Sequence, residues 1–239
     1  IRATFFKYTG ATAKSVLNTL AGRVLPSGFA LVDTLEQLLN RADFDQARQI
    51  ALAQHPTEPA VLFAGTQDNG GQRFTGEEAW LYSSGGDAGY PIVNWKDPYK
   101  ILMTYTKDRV QRSTDGGTRY SYSSVDVLLK EPNESVLFYA PLAGTPPNPG
   151  SPTAEADADL VAFGSIRPWI STDFGSNWHS IPTGTLEGDR LDSAISCLMF
   201  ASSNRLYAGT QAGGVYRFDR DGAGKWSSSK RLDLDIDAN

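Results

Sequence analysis

Four aspartates stand where short-range chemistry is possible, and they fall into two pairs by neighbourhood. Asp68 lies in TQDNGG and Asp87 in SGGDAGY, each among glycines, with Asn69 beside the first. Facing one groove, two carboxylates roughly 5–10 Å apart could act as acid and base or nucleophile in glycoside hydrolysis. The same oxygens, with Asn69 and backbone carbonyls, could hold a hard cation such as calcium. The third use is structural, with both residues stabilising Gly-rich turns.

The other pair is more regular. Ser113, Asp115, Gly117 and Tyr120 in RSTDGGTRYSY, and Ser171, Asp173, Gly175 and Trp178 in ISTDFGSNWHSIP, share the order Ser-x-Asp-x-Gly-x-x-aromatic. A turn Asp folds its carboxylate back onto backbone N–H groups, Gly takes the φ > 0 position, and Ser adds a hydroxyl to the same network. The aromatic residue then opens the next strand as an apolar plate. Charge-assisted bonds of about 1.5–3 kcal/mol each would occupy the carboxylate lone pairs. Asp115 and Asp173 are therefore structural, not catalytic.

Other chemistries find little support. His55 and His179 are isolated, so neither a zinc site nor a Ser–His–Asp arrangement has a local basis. The glycines of GGTR and AGGVY have no following Lys-Ser/Thr and open no helix, which excludes a phosphate loop. Trp95, Tyr99 and Trp169 could stack on sugar rings, or pack inside a sheet stack. A net charge of -5 with no basic cluster argues against a nucleic-acid partner. Cys197 is the single cysteine, in the apolar run AISCLMF, where it reads as a small buried hydrophobe, and no intramolecular disulfide can form. No apolar run reaches the roughly 18 residues of a membrane span.

The elements that must position these residues are short strands. Four units of about 40 residues each lead from one apolar strand through a turn to a second, then to a strand bearing Arg or an aromatic, then to an aromatic-rich strand. LFAGTQ at Leu62 to Gln67 matches LYAGTQ at Leu206 to Gln211, while HPTEP, WKDPY and EPNES occupy one turn position. Arg109, Arg112, Arg167 and Arg217 recur at similar places, which makes them repeat positions that pair with nearby acids. The chain divides into an irregular N-terminal segment or insertion over 1–46, partly helical; blades over 47–232; and a tail over 233–239. The stretch Gly144 to Asp159, rich in Pro, Gly, Ser and Asp, predicts a mobile surface loop, or else a loop that touches a partner.

These segments resemble the Asp-box, or bacterial-neuraminidase, repeat of sialidases, sortilin-type receptors and some endo-acting glycoside hydrolases. AGTQDNGG and GGDAGYPIVNWKDP resemble a further pattern of bacterial proteins of this class. The resemblance covers about the last four-fifths of the chain. It implies an all-β propeller, with each Asp box on the turn between the two outer strands of a blade. Rings of this class usually have six or more blades, so four units imply part of a larger ring or blades supplied by other chains. A chain beginning at Ile1 with no signal peptide reads as processed or partial.

On function the resemblance leads to a non-catalytic binding or scaffold module for a protein or carbohydrate partner, secreted or periplasmic. Its ligand would meet Asp68, Asn69, Asp87, Trp95 and Trp169, with calcium possible at Asp68 and Asp87. One alternative is a secreted glycoside hydrolase using Asp68 and Asp87 as its acids. Another is an accessory subunit that buries its blade edges in a larger assembly. Sialidase chemistry is not implied, because Ile166-Arg167-Pro168 only permutes the family's Arg-Ile-Pro motif and the arginines form no triad.

Overall fold

The computed structural model describes residues 49–76, 80–107, 109–123, 134–184 and 189–232. The segment 1–46 and the tail 233–239 lie outside them, as does most of EPNES. The described chain forms four four-stranded antiparallel sheets, each built from consecutive strands. Blade 1 holds β1 (Gln49–Gln54), β2 (Leu62–Thr66), β3 (Gly70–Phe74) and β4 (Leu81–Ser84); blade 2 holds β5 (Pro91–Val93), β6 (Ile101–Thr104), β7 (Val110–Ser113) and β8 (Ser121–Tyr122). Blade 3 holds β9 (Leu142–Gly144), β10 (Val161–Gly164), β11 (Pro168–Ser171) and β12 (His179–Ser180); blade 4 holds β13 (Ile195–Ser202), β14 (Arg205–Thr210), β15 (Val215–Asp219) and β16 (Lys230–Arg231). The protein is thus all-β, an arc of β-propeller blades.

The innermost strands touch in chain order, β1 with β5, β5 with β9 and β9 with β13, and no comparable contact joins β13 to β1 among the described residues. Register decides which side chains meet the next blade. Ala53, Phe63 and Arg73 form one cross-strand row in blade 1, as do Ile92, Leu102 and Arg112 in blade 2. The same row is Ala143, Ala162 and Ile170 in blade 3, and Met199, Tyr207 and Arg217 in blade 4. In the first three blades the row packs forward: Phe63 against Ile101, Leu102 against Val161 and Phe174, and Ala162 with Ile170 against Leu206, Phe218 and Trp226. Covered on both faces, β2, β6 and β10 are buried along their whole length, which is why their sequences are unbroken apolar runs.

Backbone bonds repeat this order. The loop entering each new blade is hydrogen-bonded to the second turn of the blade before it: Ala88 N–H to Thr66 O (3.0 Å), Lys107 N–H to Phe138 O (2.7 Å), and Leu191 N–H to Ile166 O (2.9 Å). These amides and carbonyls would otherwise be stranded between sheets.

The insertion departs from the surface loop expected of Gly144 to Asp159. Its first part is exposed, but its second forms the short helix α1 (Ala154–Ala158), with Ala154, Asp157 and Ala158 buried. Ser151 and Thr153 hydroxyls donate to Asp157 Oδ2, at 3.1 and 2.9 Å. Lys100 Nζ and Asn94 Nδ2 of blade 2 reach Asp159 Oδ1 at 2.9 and 2.7 Å. Polar composition did not keep the segment off the protein, because blade 2 supplies polar partners for it.

Candidate functional site

The two octets fold as near copies. Ser113 Oγ donates to Asp115 Oδ1 at 2.8 Å and accepts the Gly117 amide at 2.9 Å, while Asp115 Oδ1 also accepts the Thr118 and Arg119 amides, both at 3.0 Å. Ser171 Oγ donates to Asp173 Oδ1 at 2.8 Å and accepts the Gly175 amide at 2.7 Å; Asn177 donates its amide and its side chain to Asp173 at 2.8 and 2.7 Å. Gly117 and Gly175 sit at φ +81° and +80°. A Cβ there would come within 2.6 Å of Phe63 and of Leu102, each a residue of the preceding blade. Both carboxyls lie below the usual carboxylate range. For Asp115 the Arg119 amide lowers it most; for Asp173 burial pushes upward and is outweighed by the bonds from Asn177 and Ser171.

The octet of blade 3 also ties its blade to blade 2. Arg112 Nε donates to Phe174 O at 2.8 Å, Trp178 Nε1 donates to Ser123 Oγ at 2.9 Å, and the Ser123 hydroxyl donates to Gly175 O. Tyr120 fills the slot of Trp178, and burial pushes its phenol up.

Asp68 and Asp87 meet at the opposite end of the strands, where the β2–β3 turn and the loop entering blade 2 converge. Asp87 Oδ1 accepts the Asp68 amide at 2.7 Å. Asp68 holds φ +66° with its side chain exposed, and Asn69 accepts Gln72 Nε2 through its carbonyl at 2.6 Å. Two tyrosines complete this corner. Tyr105 Oη lies against Gly86, and the Tyr139 ring lies against Gly89. Burial pushes the Tyr139 phenol up to about 12, with the charges of Asp87 and then Asp68 adding to it. Its Oη is buried with no hydrogen-bond partner among the described residues.

The same end of the arc carries a buried ion pair. Arg167 Nε lies 3.1 Å from Glu134 Oε2, with the two side chains 10% and 7% exposed. Glu134 Oε1 accepts Trp169 Nε1 at 3.2 Å and the Ser165 hydroxyl. Trp169 is 4% exposed, so its ring offers no face to a sugar. Trp95 is half-buried at the far end of β5, donating to Thr145 Oγ1 at 3.4 Å. The structure thus brings Asp68, Asn69 and Asp87 together and leaves Trp95 and Trp169 elsewhere.

The arginines do not converge: Arg112 and Arg217 share the strand position of Arg73, Arg167 sits in a turn, and Arg109 lies over the Tyr122 ring at 5.8 Å. Among the described residues no three His, Cys, Asp or Glu side chains converge to hold a metal ion, and no helix is long and apolar enough to cross a membrane. A calcium ion, which takes six to eight oxygens, would have to draw mainly on backbone carbonyls beside Asp68 and Asp87.

Tyr105, Tyr139 and Glu134 are the members of this face that motif reading missed. A signal existed for the tyrosines, since a Gly-rich loop implies close approach by something large. Glu134 gave none, being 33 residues from its partner.

No protein-family model matches the sequence, and no curated protein matches it. Solved structures do resemble it. An ancestral GH74 enzyme aligns with 76% of this chain at 16% identity and a TM-score of 0.53, and Niastella koreensis GH74 with 79% at 14% identity and 0.50. YCF48 from Cyanidioschyzon merolae aligns with 78% at 12% identity and 0.52. The chain spans only 24% and 26% of the two enzymes and 57% of YCF48. At these identities the likeness is one of fold, and that fold is the β-propeller.

Proposed function

We propose that the chain is a non-catalytic Asp-box propeller module, extracytoplasmic, that binds or scaffolds a partner through the face carrying Asp68, Asp87, Tyr105 and Tyr139. The observation behind this reading is how the acids there are used. Asp87 clamps the amide of Asp68, and Glu134 is held by Arg167, Trp169 and Ser165, so both carboxylates secure blade-entering loops. Apart from the exposed Asp68 carboxylate, what stands free is aromatic and cationic: Phe138 at 49% exposure, Tyr122 under Arg109, and Lys107. Such a surface suits a protein partner with acidic and aromatic groups better than a neutral polysaccharide. Calcium is not required by this reading, and a role as accessory subunit of a larger assembly is compatible with it.

The second reading, a glycoside hydrolase, keeps one supporting observation: the exposed Asp68 carboxylate beside Asp87. The experiment separates the two. The full chain is incubated with soluble polysaccharides and sialylated glycans while reducing-end release is followed, and is used as bait against a secreted protein fraction. The expected outcome is no sugar release, with capture of a partner that Arg109→Glu abolishes. Sugar release that Asp68→Asn removes would overturn the binding reading in favour of hydrolysis.

A further inference from the structure

The two octets share a turn but not a surface. Blade 2 carries Arg112 and Arg119 where blade 3, slot for slot, carries Ile170 and Asn177. Arg112 pairs with Ser121 across β7 and β8, as Ile170 pairs with His179 across β11 and β12. Ile170 is buried in the core that blade 4 covers. Arg112 is half-buried, and only its Nε is spent, on Phe174 O at 2.8 Å.

Around these two arginines the blade 2 hairpin opens a cleft of about 190 Å³, lined by Arg112, Thr114, Asp115, Arg119, Tyr120 and Ser121. It lies at the end of the strands opposite Asp68 and Asp87, so it does not rest on the reading of that face. The cleft carries two cations against one acid, in a chain of net charge -5. The acid is held by the turn, since Asp115 Oδ1 accepts the Ser113 hydroxyl and the Thr118 and Arg119 amides.

The arginines themselves are unneutralised. On blade 4, Arg205 and Arg217 both reach Asp219, at 2.7 and 2.9 Å, and Arg231 comes within 3.6 Å of Asp192. Arg112 and Arg119 have no ion pair among the described residues, and the Arg119 side chain makes no hydrogen bond there. Two hydroxyls stand beside them: Thr114 is exposed, and Ser121 Oγ reaches only Arg112 O, at 3.5 Å. A guanidinium offers its N–H groups as a planar fork that fits two oxygens of one oxyanion. The volume is below the roughly 300–1,000 Å³ of pockets for drug-sized ligands, so the group recognised is small.

We propose that the blade 2 octet cleft binds a tetrahedral oxyanion, sulfate or phosphate, as the free ion or as an ester on a sugar. Arg112 and Arg119 supply the charge, Thr114 and Ser121 the hydroxyls, and the Asp115 turn fixes Arg119 through its amide. In this blade the octet is both the lock of a turn and the frame of a site.

The test is calorimetric titration of the full chain at low ionic strength with sulfate, phosphate, galactose 6-sulfate and galactose, with chloride as the ionic-strength control. The expected result is saturable binding of oxyanion at one site and no binding of galactose. Affinity should fall about tenfold or more in Arg119→Ala, the size of one lost charge-assisted bond. That variant should melt in chloride as the parent does, because the side chain is exposed and the turn uses only its amide. Arg119→Lys keeps the charge without the fork and should fall between the two. Lys225→Ala, which removes an exposed cation of blade 4, should leave affinity unchanged. Binding of the free ions, of the sugar ester or of both supports the proposal and tells a free ion from a sugar-borne group. Absence of oxyanion binding overturns it, and so does binding that Arg119→Ala leaves intact or that Lys225→Ala weakens as much. Galactose bound as well as its sulfate also overturns it.

Discussion

Blades 1 and 4 carry almost the same strand pair, LFAGTQDNGGQRF and LYAGTQAGGVYRF, in different surroundings. In blade 1 the second strand is buried throughout; in blade 4 burial alternates residue by residue. Local sequence is therefore enough to make the hairpin, while burial comes from whatever stands next in the stack. The same Ala-Gly-Thr-Gln segment is core in one place and half surface in the other.

Three substitution pairs and one pH series test that contrast. Phe63→Ala should cost about 3–5 kcal/mol, since a buried ring is lost between two blades. Tyr207→Ala should cost only about 1 kcal/mol. Equal shifts in the denaturation midpoint would mean that blade 4 is covered within the single chain. Next, Gly65→Val forces a branched side chain into the Gly89 carbonyl and should cost about 3 kcal/mol, whereas Gly209→Val should cost about 1 kcal/mol or less. Thermal melts of the two variants should separate clearly.

Arg112→Ala removes a charged donor from Phe174 O and should cost about 1.5–3 kcal/mol, against about 0–1 kcal/mol for Arg217→Ala, whose partner Asp219 is open to water. The smallest effect is acid sensitivity in the blades that carry octets. The folded carboxyls of Asp115 and Asp173 lie below their unfolded values. Their contribution is therefore complete above the unfolded pKa of about 4 and drains away as pH falls through the folded values. Denaturation midpoints followed from about pH 6 to pH 3 should fall less steeply in Asp115→Asn and Asp173→Asn than in the parent chain.

How much of this was legible in sequence depended on distance along the chain. The octets were fully legible, since Ser171, Asp173, Gly175 and Asn177 lie within seven positions and their types specify the turn. The strand order was legible because the apolar runs recur with turns between them. The Glu134–Arg167 pair and the seat of the insertion on Lys100 were not, because they join residues 33 and 59 positions apart with no spacing rule between them. Asp68 and Asp87 fall between these cases. Their glycine-rich settings marked a close approach, but the approaching group at Asp87 is the backbone amide of Asp68. Trp169 shows the limit of composition: an indole that could stack on sugar is enclosed by Ser165 and Glu134.

The loop-to-turn bonds bear on how the chain is made. Ala88 reaches back to Thr66, Lys107 pairs with Phe138, and Ile195 reaches back to Ser165, so each blade docks on one synthesised immediately before it. No blade has to wait for a distant partner, which keeps the entropic cost of loop closure low for an all-β chain. Folding can then run from the N-terminal side during synthesis, each finished blade serving as the template for the next. Among the described blades, only blade 4 is not itself followed by such a template, and its forward side chains, Met199 and Cys197, stay exposed.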